Sequence, residues 1–160
     1  MVVEKQVIST EKVEVPIYGI KLLSIEEYQE NRDMICILDG WWWLSSTGYG
    51  QSDAAYVYYD SSSCDYYFTS GIGYVRPALI GNFKSSNLKR GDKIEVAGYT
   101  WTVLDNELAL CDKGVGRTCF RKDWEANNAN DYDASDIKKW LHDWAEENGI
   151  SFTMQTFSPD

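Results

Sequence analysis

Basic side chains are scarce in this sequence of 160 residues. Lys and Arg together number 15 against 25 acidic residues, which gives a net charge of −10. Binding to nucleic acid or to an anionic membrane surface requires a basic footprint, so we expect neither partner. No apolar run approaches the roughly 18 residues of a transmembrane helix. The first residues, MVVEKQVISTEKVEVP, carry charges where a secretory signal needs an apolar stretch. We therefore expect neither membrane insertion nor signal-dependent secretion.

The sequence also has little material for catalysis. His142 is the single histidine, and its place among the charged residues of a predicted helix favours a solvated side chain over a catalytic base. Cys111 and Cys119 are not in a C-x-x-C spacing and have no pair of histidines to complete a zinc site. No nucleotide-binding loop is present. We expect three of the four cysteines to be buried thiols in a reducing compartment. The sequence thus predicts a protein that is not an enzyme and that has no metal and no cofactor.

Aromatic residues are present in excess. The chain has 7 Trp and 11 Tyr, and seven of the tyrosines lie within residues 49–74. Aromatic side chains are large, stiff and amphipathic, so a surface cluster of them is typical of a binding site. The alternative is that they fill a core, and the two interpretations differ in how much of each ring is exposed.

The pattern of apolar residues predicts an α+β fold of short antiparallel strands with two helices. Ser24 and Glu27 form a capping box that begins a short helix ending near Asn31. Apolar residues at helical spacing predict a second helix over residues 134–148, which begins at Asp133 or Ser135 and is followed by Gly149. Residues 113–132 are expected to be irregular. Strands are predicted at residues 2–22, 54–60, 65–69, 74–80, 93–96, 99–104, 107–111 and 151–157.

Residues 49–74 have a restricted composition. They contain no Lys, Glu, Trp or Met, and Gln51 is their only Gln. Tyr, Ser, Gly and Asp dominate, as they do in antibody paratopes. Every residue in this segment except Gln51 has a codon ending in a pyrimidine. An Asn codon whose two adenines are randomised reaches Tyr, Ser, Asp, Gly, Cys, Phe, Thr, Ile and Val, but not Lys, Glu, Gln, Trp or Met. The composition is therefore that expected from mutagenesis directed at adenines.

Three blocks of the sequence match the framework of a known module. They are Trp41-Trp42-Trp43-Leu44-Ser45-Ser46-x-Gly48, Ala54-Ala55-x-Val57-x-x-Asp60 and Gly73-x-Val75-Arg76-Pro77-Ala78-Leu79. The usual form of the module is W-W-L-R-S-P-G, A-A-x-V-x-x-D-G and G-V-R-P-A-L, from which Ser45 and Thr47 depart. The chain resembles bacterial and phage proteins with a C-type lectin fold, in the branch shared with formylglycine-generating enzyme. That branch includes the variable ligand-binding proteins that diversity-generating retroelements diversify.

The order of the blocks differs from that in these relatives. There, a G-G-Y-x-W-x-V-L strand and an S-x-L-R-x-W-L helix precede an F-L-L-S-x-E-E block and the Trp block. Here the matching residues 97–104 and 135–141 follow residues 21–27 and the Trp block. The resemblance implies a circularly permuted C-type lectin-like fold that forms one domain over residues 1–160. Within it, residues 1–20 form an N-terminal strand region, residues 41–80 hold the framework and the variable surface, and residues 91–157 form the second half.

The resemblance also separates scaffold positions from changeable ones. The framework residues expected in the core or in structural turns are Trp41, Trp42, Trp43, Leu44, Ala54, Ala55, Val57, Val75, Pro77, Ala78 and Leu79. The candidate ligand-binding residues are Tyr49, Ser52, Asp53, Tyr56, Tyr58, Tyr59, Cys64, Asp65, Tyr66, Tyr67, Thr69, Ser70, Ile72 and Tyr74. Alternation along a strand places Tyr56 and Tyr58 on one face and Tyr59 on the other. Arg76 is expected in a buried structural ion pair.

The predicted function is ligand binding by the Tyr-, Ser- and Asp-rich surface, with a protein ligand such as a host cell-surface protein, in the cytoplasm or on a phage particle. One alternative is an enzyme on the scaffold of formylglycine-generating enzyme, which would need a reactive or copper-binding cysteine pair. Another is a calcium-dependent sugar lectin, although the sequence has no E-P-N, Q-P-D or W-N-D motif.

Overall fold

The computed structural model describes residues 14–48, 50–60 and 63–152. These residues form ten strands, two α-helices and three short 3-10 helices. The strands are β1 (Ile17–Lys21), β2 (Trp42–Thr47), β3 (Asp53–Val57), β4 (Cys64–Phe68), β5 (Gly73–Val75), β6 (Ala78–Gly81), β7 (Lys93–Val96), β8 (Tyr99–Val103), β9 (Leu108–Cys111) and β10 (Gly116–Thr118). The α-helices are α1 (Ile25–Asn31) and α2 (Asp136–Glu147), and the 3-10 helices are Arg32–Met34, Lys84–Ser86 and Tyr132–Ala134.

The strands form two five-stranded sheets, which confirms the α+β class. The first sheet has the order β1-β6-β9-β8-β7, and its paired strands are antiparallel. The second has the order β10-β5-β2-β3-β4, in which β2 and β5 are parallel and the other pairs antiparallel. None of the helices described is long and apolar enough to cross a bilayer.

One predicted strand is divided between the two sheets. Residues 74–80 were expected to be continuous, but β5 ends at Val75 in the second sheet and β6 begins at Ala78 in the first. Pro77 lies between them, where its missing N–H costs no ladder hydrogen bond. The Arg76-Pro77 link therefore connects the two sheets.

Both helices begin at the caps that the sequence indicated. The Ser24 hydroxyl accepts a hydrogen bond from the Glu27 N–H at 3.2 Å, and the Glu27 carboxylate accepts one from the Ser24 N–H at 3.0 Å. This capping box begins α1, which ends at Asn31 as predicted. Helix α2 is capped by Ser135, and Gly149 after it has the positive φ of 71° that the C′ position of a helix favours.

Two groups of buried side chains make up the core. The first core contains Trp43 and Ala54 together with the apolar face of α2. The second core contains Trp42 and Ala55 together with Tyr28 of α1, whose ring meets Trp42 edge to face at 6.0 Å. Neighbouring residues of β2 and β3 thus enter different cores, because side chains alternate across a strand. The second sheet consequently buries side chains on both of its faces.

The structure corrects the prediction for residues 113–132, and it describes only part of the two predicted terminal strands. Residues 113–132 were expected to be irregular, but residues 116–118 form β10 against β5. Of the predicted strand at 151–157, residues 151 and 152 are not in a strand, and the remainder lies outside the described residues. The same is true of residues 2–13 of the first predicted strand, whose later part forms β1.

Candidate functional site

The β3–β4 hairpin decides which of the predicted residues share a face of the sheet. In its antiparallel register Tyr56 lies opposite Asp65, and Ala54 lies opposite Tyr67. Directly opposed side chains point to the same face, and side chains alternate along each strand. Tyr56, Asp65 and Tyr67 therefore lie on one face, and Tyr66 lies on the other.

Four aromatic rings, those of Trp41, Tyr56, Tyr58 and Tyr67, lie together at this face. Phe68 lies opposite Asp53 at the end of β4, where alternation assigns it to the other face, but its ring contacts that of Tyr67. We call these five residues the aromatic patch. The Trp41 ring centroid is 5.1 Å from that of Tyr56 and 5.5 Å from that of Tyr67. Tyr56 and Tyr58 are 5.4 Å apart, and Tyr67 and Phe68 are 6.0 Å apart. Most of these rings meet edge to face, which aromatic pairs prefer over a face-to-face sandwich. The contacts hold the rings in position without a ligand.

The aromatic patch is a surface and not a core. Tyr58, Tyr67 and Phe68 expose 36%, 46% and 57% of their area. Trp41 is half-buried, and its ring lies 4.9 Å from that of the fully buried Trp43. The patch is therefore anchored on the first core at one side and open to solvent at the other.

Two glycines fix the positions of two rings. A Cβ atom added at Gly73 would lie 2.4 Å from a ring carbon of Trp41, and one added at Gly71 would lie 2.4 Å from a ring carbon of Tyr67. Both distances are shorter than real contacts of a Cβ atom, so the two rings lie directly on the backbone at these glycines. Any larger residue at either position would displace the ring.

A carboxylate is built into the edge of the aromatic patch. Asp65 accepts a hydrogen bond from the Tyr58 hydroxyl at 3.0 Å and one from the Tyr66 backbone N–H at 2.8 Å. Burial among the neighbouring rings, with smaller contributions from the Tyr58 hydrogen bond and the Asp65 charge, raises the pKa of Tyr56 to about 12. The Tyr56 phenol therefore stays neutral at physiological pH and acts as an amphipathic contact.

A small cavity of about 190 Å³ adjoins the patch at Trp41. It is lined by Asp39, Gly40, Trp41, Ile72, Gly73, Tyr74 and Arg117. The Arg117 guanidinium lies 5.6 Å over the Tyr74 ring, so the cavity combines one acidic group, one basic group and two aromatic walls. Sites for drug-sized ligands typically occupy roughly 300–1,000 Å³. This cavity is suited to a single side chain.

The structure brings together only part of the predicted site. On or beside the aromatic patch and its cavity lie Tyr56, Tyr58, Asp65, Tyr67, Ile72 and Tyr74. Elsewhere, Tyr59 and Ser70 are exposed and Ser52 and Asp53 are half-buried, whereas Tyr49 lies outside the described residues. The ring contact between Tyr56 and Tyr58 agrees with the prediction that they share a face.

Three further predicted binding residues, Thr69, Tyr66 and Cys64, are also not on the patch. Thr69 is fully buried, and its backbone carbonyl accepts a hydrogen bond from the Arg121 N–H at 2.9 Å. Tyr66 and Cys64 are half-buried and pack against the second core, on the opposite face of the sheet. Their place follows from the register of β4, which composition does not specify.

Two residues of the aromatic patch were not predicted. Phe68 lies within the segment whose composition indicated the surface, so including every aromatic residue of that segment would have found it. Trp41 was expected in the core with Trp42 and Trp43, both of which are fully buried. The three tryptophans give no sequence signal that one of them is half-exposed.

Arg76 is buried as expected, with partners of a different kind. Its Nε donates to the Cys111 carbonyl at 2.7 Å, and its Nη1 donates to the Cys36 carbonyl at 2.9 Å. Its Nη2 lies 3.0 Å from the Cys36 Sγ, and its guanidinium lies 4.9 Å over the Trp42 ring. Burial lowers the pKa of Arg76. Arg76 therefore contacts two carbonyl groups, a thiol and an aromatic ring in place of the expected carboxylate. Through these contacts it stabilises the link between the sheets.

The cysteines are placed poorly for the chemistry of the enzyme alternative. Cys111 is fully buried, and burial raises the pKa of its thiol to about 11. Burial also raises the pKa of Cys119. A thiol with a raised pKa is protonated at neutral pH and is a weak nucleophile. The expectation of three buried cysteines is wrong, since Cys64 and Cys119 are half-buried and Cys36 is exposed.

Neither metal sites nor relatives add to this description. Among residues 14–48, 50–60 and 63–152, no group of three or more His, Cys, Asp and Glu side chains is placed to hold a metal ion. Comparison with protein-family models, with curated proteins and with solved structures gave no match. The case for a function therefore depends on the geometry of the aromatic patch.

Proposed function

We propose that this chain is a ligand-binding protein whose aromatic patch grips a protein ligand without catalysis. The observation that supports this most is the cluster of five contacting rings at the β3–β4 edge of the sheet, in which Tyr58, Tyr67 and Phe68 expose more than a third of their area. Tyr and Trp are enriched among the residues that dominate binding energy, because they supply large contact areas at a low cost in conformational entropy. Rings already held by each other lose little further freedom when a ligand binds.

We further propose that the scaffold is a circularly permuted C-type lectin-like fold of the kind that retroelements diversify. The burial of the framework supports this, because the residues that match the module and are fully buried are Trp42, Trp43, Leu44, Ala54, Ala55, Val57, Val75, Ala78 and Leu79. The candidate variable positions Asp53 and Tyr56 are interspersed with them along β3, and the exposed Tyr67 of β4 is another. Helix α2 also contacts β1, which is the proximity that a circular permutation requires.

Selection from a peptide library tests the binding function. Random peptides displayed on phage would be selected on the wild-type protein and, in parallel, on the double variant Tyr58→Ser, Tyr67→Ser. We expect peptides to be enriched on the wild type and not on the double variant, because the two exposed rings supply the contact area. Because both rings are exposed, their loss should leave the scaffold folded. Chemical denaturation of the double variant provides the control for folding. Equal enrichment on both proteins would contradict the proposal.

Diversification by a retroelement has its own test in the surrounding DNA. We expect a near-repeat of the DNA for residues 45–74 beside a reverse-transcriptase gene, with differences at adenines. A genome with no such repeat would remove the mechanism of diversification and leave the binding function in place.

The sugar-lectin alternative predicts a different response. A calcium-dependent lectin gains stability from calcium by mass action, whereas a patch of aromatic rings has no need of the ion. We expect the melting temperature to be the same in calcium and in chelator. A rise with calcium would favour the lectin.

A further inference from the structure

The charge of the aromatic patch points to the chemistry of its ligand. Resting on the proposed function, we propose that the patch binds a positively charged protein segment, with Arg or Lys side chains stacked on the exposed rings and their charges paired with Asp65 and Asp39. The inference adds the class of partner, which aromatic content alone does not specify.

The charged residues in the segment that forms the patch are of one sign. From residue 33 to residue 75 the sequence has no Lys, Arg or His, and its charged residues are all Asp. The chain as a whole carries a net charge of −10. Complementary potentials steer partners to a surface and suppress binding of those with the same charge. A cationic segment is therefore favoured, and an acidic one is disfavoured.

Two carboxylates flank the exposed rings. Asp65 is exposed and holds the Tyr58 hydroxyl at 3.0 Å, directly opposite Tyr56 in the β3–β4 register. Asp39 is exposed and lines the cavity beside Trp41. An unbranched cationic side chain lying across the rings would reach a carboxylate at either side of the patch. Because a carboxylate accepts two parallel hydrogen bonds from a guanidinium, Arg fits this arrangement especially well.

The same sheet already contains two guanidinium–ring contacts. Arg76 lies 4.9 Å over Trp42, and Arg117 lies 5.6 Å over Tyr74 at the edge of the cavity. Both distances are within the range in which a cation is attracted by the face of an aromatic ring. An incoming Arg on Tyr67 or Phe68 would repeat this contact with an exposed ring.

Other classes of ligand fit the patch less well. Nucleic acids and anionic membranes are repelled by an acidic surface. The cavity of about 190 Å³ is smaller than the sites that hold most small-molecule ligands, but it accepts one side chain. A protein segment that places one side chain in the cavity and cations on the exposed rings satisfies both the charge and the size.

The peptides selected on the wild-type protein test the inference. We expect those whose enrichment depends on Tyr58 and Tyr67 to be rich in Arg and Lys. Tyrosine-dependent peptides without a net positive charge would overturn the cationic ligand and leave the binding function standing. Basic peptides that bind equally well without the two tyrosines would overturn both the cationic ligand and the binding function of the patch. Such peptides would be attracted by the net charge of the protein alone.

A matched pair of charge variants sharpens the test. Resynthesised peptides would be titrated calorimetrically against Asp65→Asn and against Glu146→Gln, which removes the same charge from an exposed position on α2. We expect affinity for Asp65→Asn to fall about two- to fivefold, as is typical of an exposed ion pair, and affinity for Glu146→Gln to stay that of the wild type. Equal losses in both variants, or no loss in Asp65→Asn, would overturn the inference. Asn is close in shape to Asp, so the variant retains the fold.

Discussion

Strands β2 and β4 lie on either side of β3 and are both rich in aromatic residues, but the two strands bury these residues to different extents. The rings of Trp42 and Trp43 in β2 are fully buried, whereas Tyr67 and Phe68 in β4 expose 46% and 57% of their area. Strand β2 lies inside the sheet between β5 and β3, and β4 lies at its edge. Aromatic content therefore does not distinguish the buried strand from the exposed one, whereas position in the sheet does.

The residue types agree with this division. Trp supplies the most apolar area, which is worth most where both faces of a sheet are covered. Tyr combines an apolar ring with a hydroxyl that stays hydrated or finds a polar partner, as the Tyr58 hydroxyl does at Asp65. An edge strand of tyrosines beside a carboxylate is thus stable in water and available to a ligand.

The largest effect is expected from the inner strand. Trp42→Ala should lower the free energy of unfolding by roughly 3–5 kcal/mol, because it opens a cavity in the second core and removes the ring beneath Arg76. Chemical denaturation measures the loss. A loss below about 1 kcal/mol, the typical effect of a point mutation, would show that β2 is not the core strand described here.

A smaller loss is expected on the covered face of β4. Tyr66 is half-buried against the second core, so Tyr66→Ala should lower the free energy of unfolding by about 1–3 kcal/mol. The same denaturation experiment applies. If this variant were as stable as the wild type, the assignment of Tyr66 to the covered face would be wrong.

Exposed tyrosines of the aromatic patch should tolerate the same substitution. Tyr58→Ala and Tyr67→Ala each remove exposed rings whose contacts with neighbouring rings are worth about 0.5–1.5 kcal/mol. We expect losses in stability near the lower end of that range. Losses as large as that of Trp42→Ala would assign the aromatic patch to the core.

Ionisation at alkaline pH tests the packing of Tyr56, the half-buried tyrosine of the aromatic patch. Because the folded-state pKa of Tyr56 is raised from 10.0 to about 12, its contribution to stability is fully present below pH 10 and is lost as the pH rises towards 12. In a spectrophotometric titration of tyrosinate, Tyr56→Phe should lose one late-titrating phenol. Burial also raises the pKa of Tyr132 to about 12, so the phenol of Tyr132 should still titrate late in this variant and serves as the internal reference. Loss of an early-titrating group instead would contradict the packing of Tyr56.

A similarly small change in stability is expected at Gly71. The added Cβ of Gly71→Ala would meet the Tyr67 ring at 2.4 Å and the Phe68 carbonyl oxygen at 3.2 Å. Since Tyr67 is exposed, its ring can move aside, and the cost should be about 1 kcal/mol or less, below most overpacking substitutions. Binding of a patch-dependent peptide should nevertheless weaken, because the ring is displaced. An unchanged affinity would show that the position of Tyr67 is unimportant.

Local features of the fold could be predicted from the sequence, because their causes are local. The capping box at Ser24 and Glu27 determines where α1 begins. Ala97 and Gly98 both have positive φ, 57° and 80°, in the tight turn that the sequence indicated between β7 and β8. Composition likewise indicated that residues 49–74 contain a surface.

The rest of the site depends on contacts between distant parts of the chain. The pairing of Ala55 with Tyr66 places that tyrosine on the covered face, and a shift of one residue would have exposed it. The carbonyl of the buried Thr69 accepts a hydrogen bond from the N–H of Arg121, which is distant in sequence. Trp41 is half-exposed because β2 begins after it and its ring rests on Gly73. Neither the composition nor the periodicity of the sequence indicates these long-range contacts.

The central claim is that the open face of β4 binds ligand and its covered face does not. Tyr66 and Tyr67 are adjacent, are of the same residue type and point to opposite faces, so they form a matched pair. The decisive measurement is the affinity of a peptide selected on the wild-type protein for folded Tyr67→Ala and folded Tyr66→Ala. We predict a loss of about thirtyfold for Tyr67→Ala, corresponding to roughly 2 kcal/mol for a residue that dominates binding, and an affinity close to that of the wild type for Tyr66→Ala. Equal affinities in the two variants, or a greater loss for Tyr66→Ala, would contradict the account.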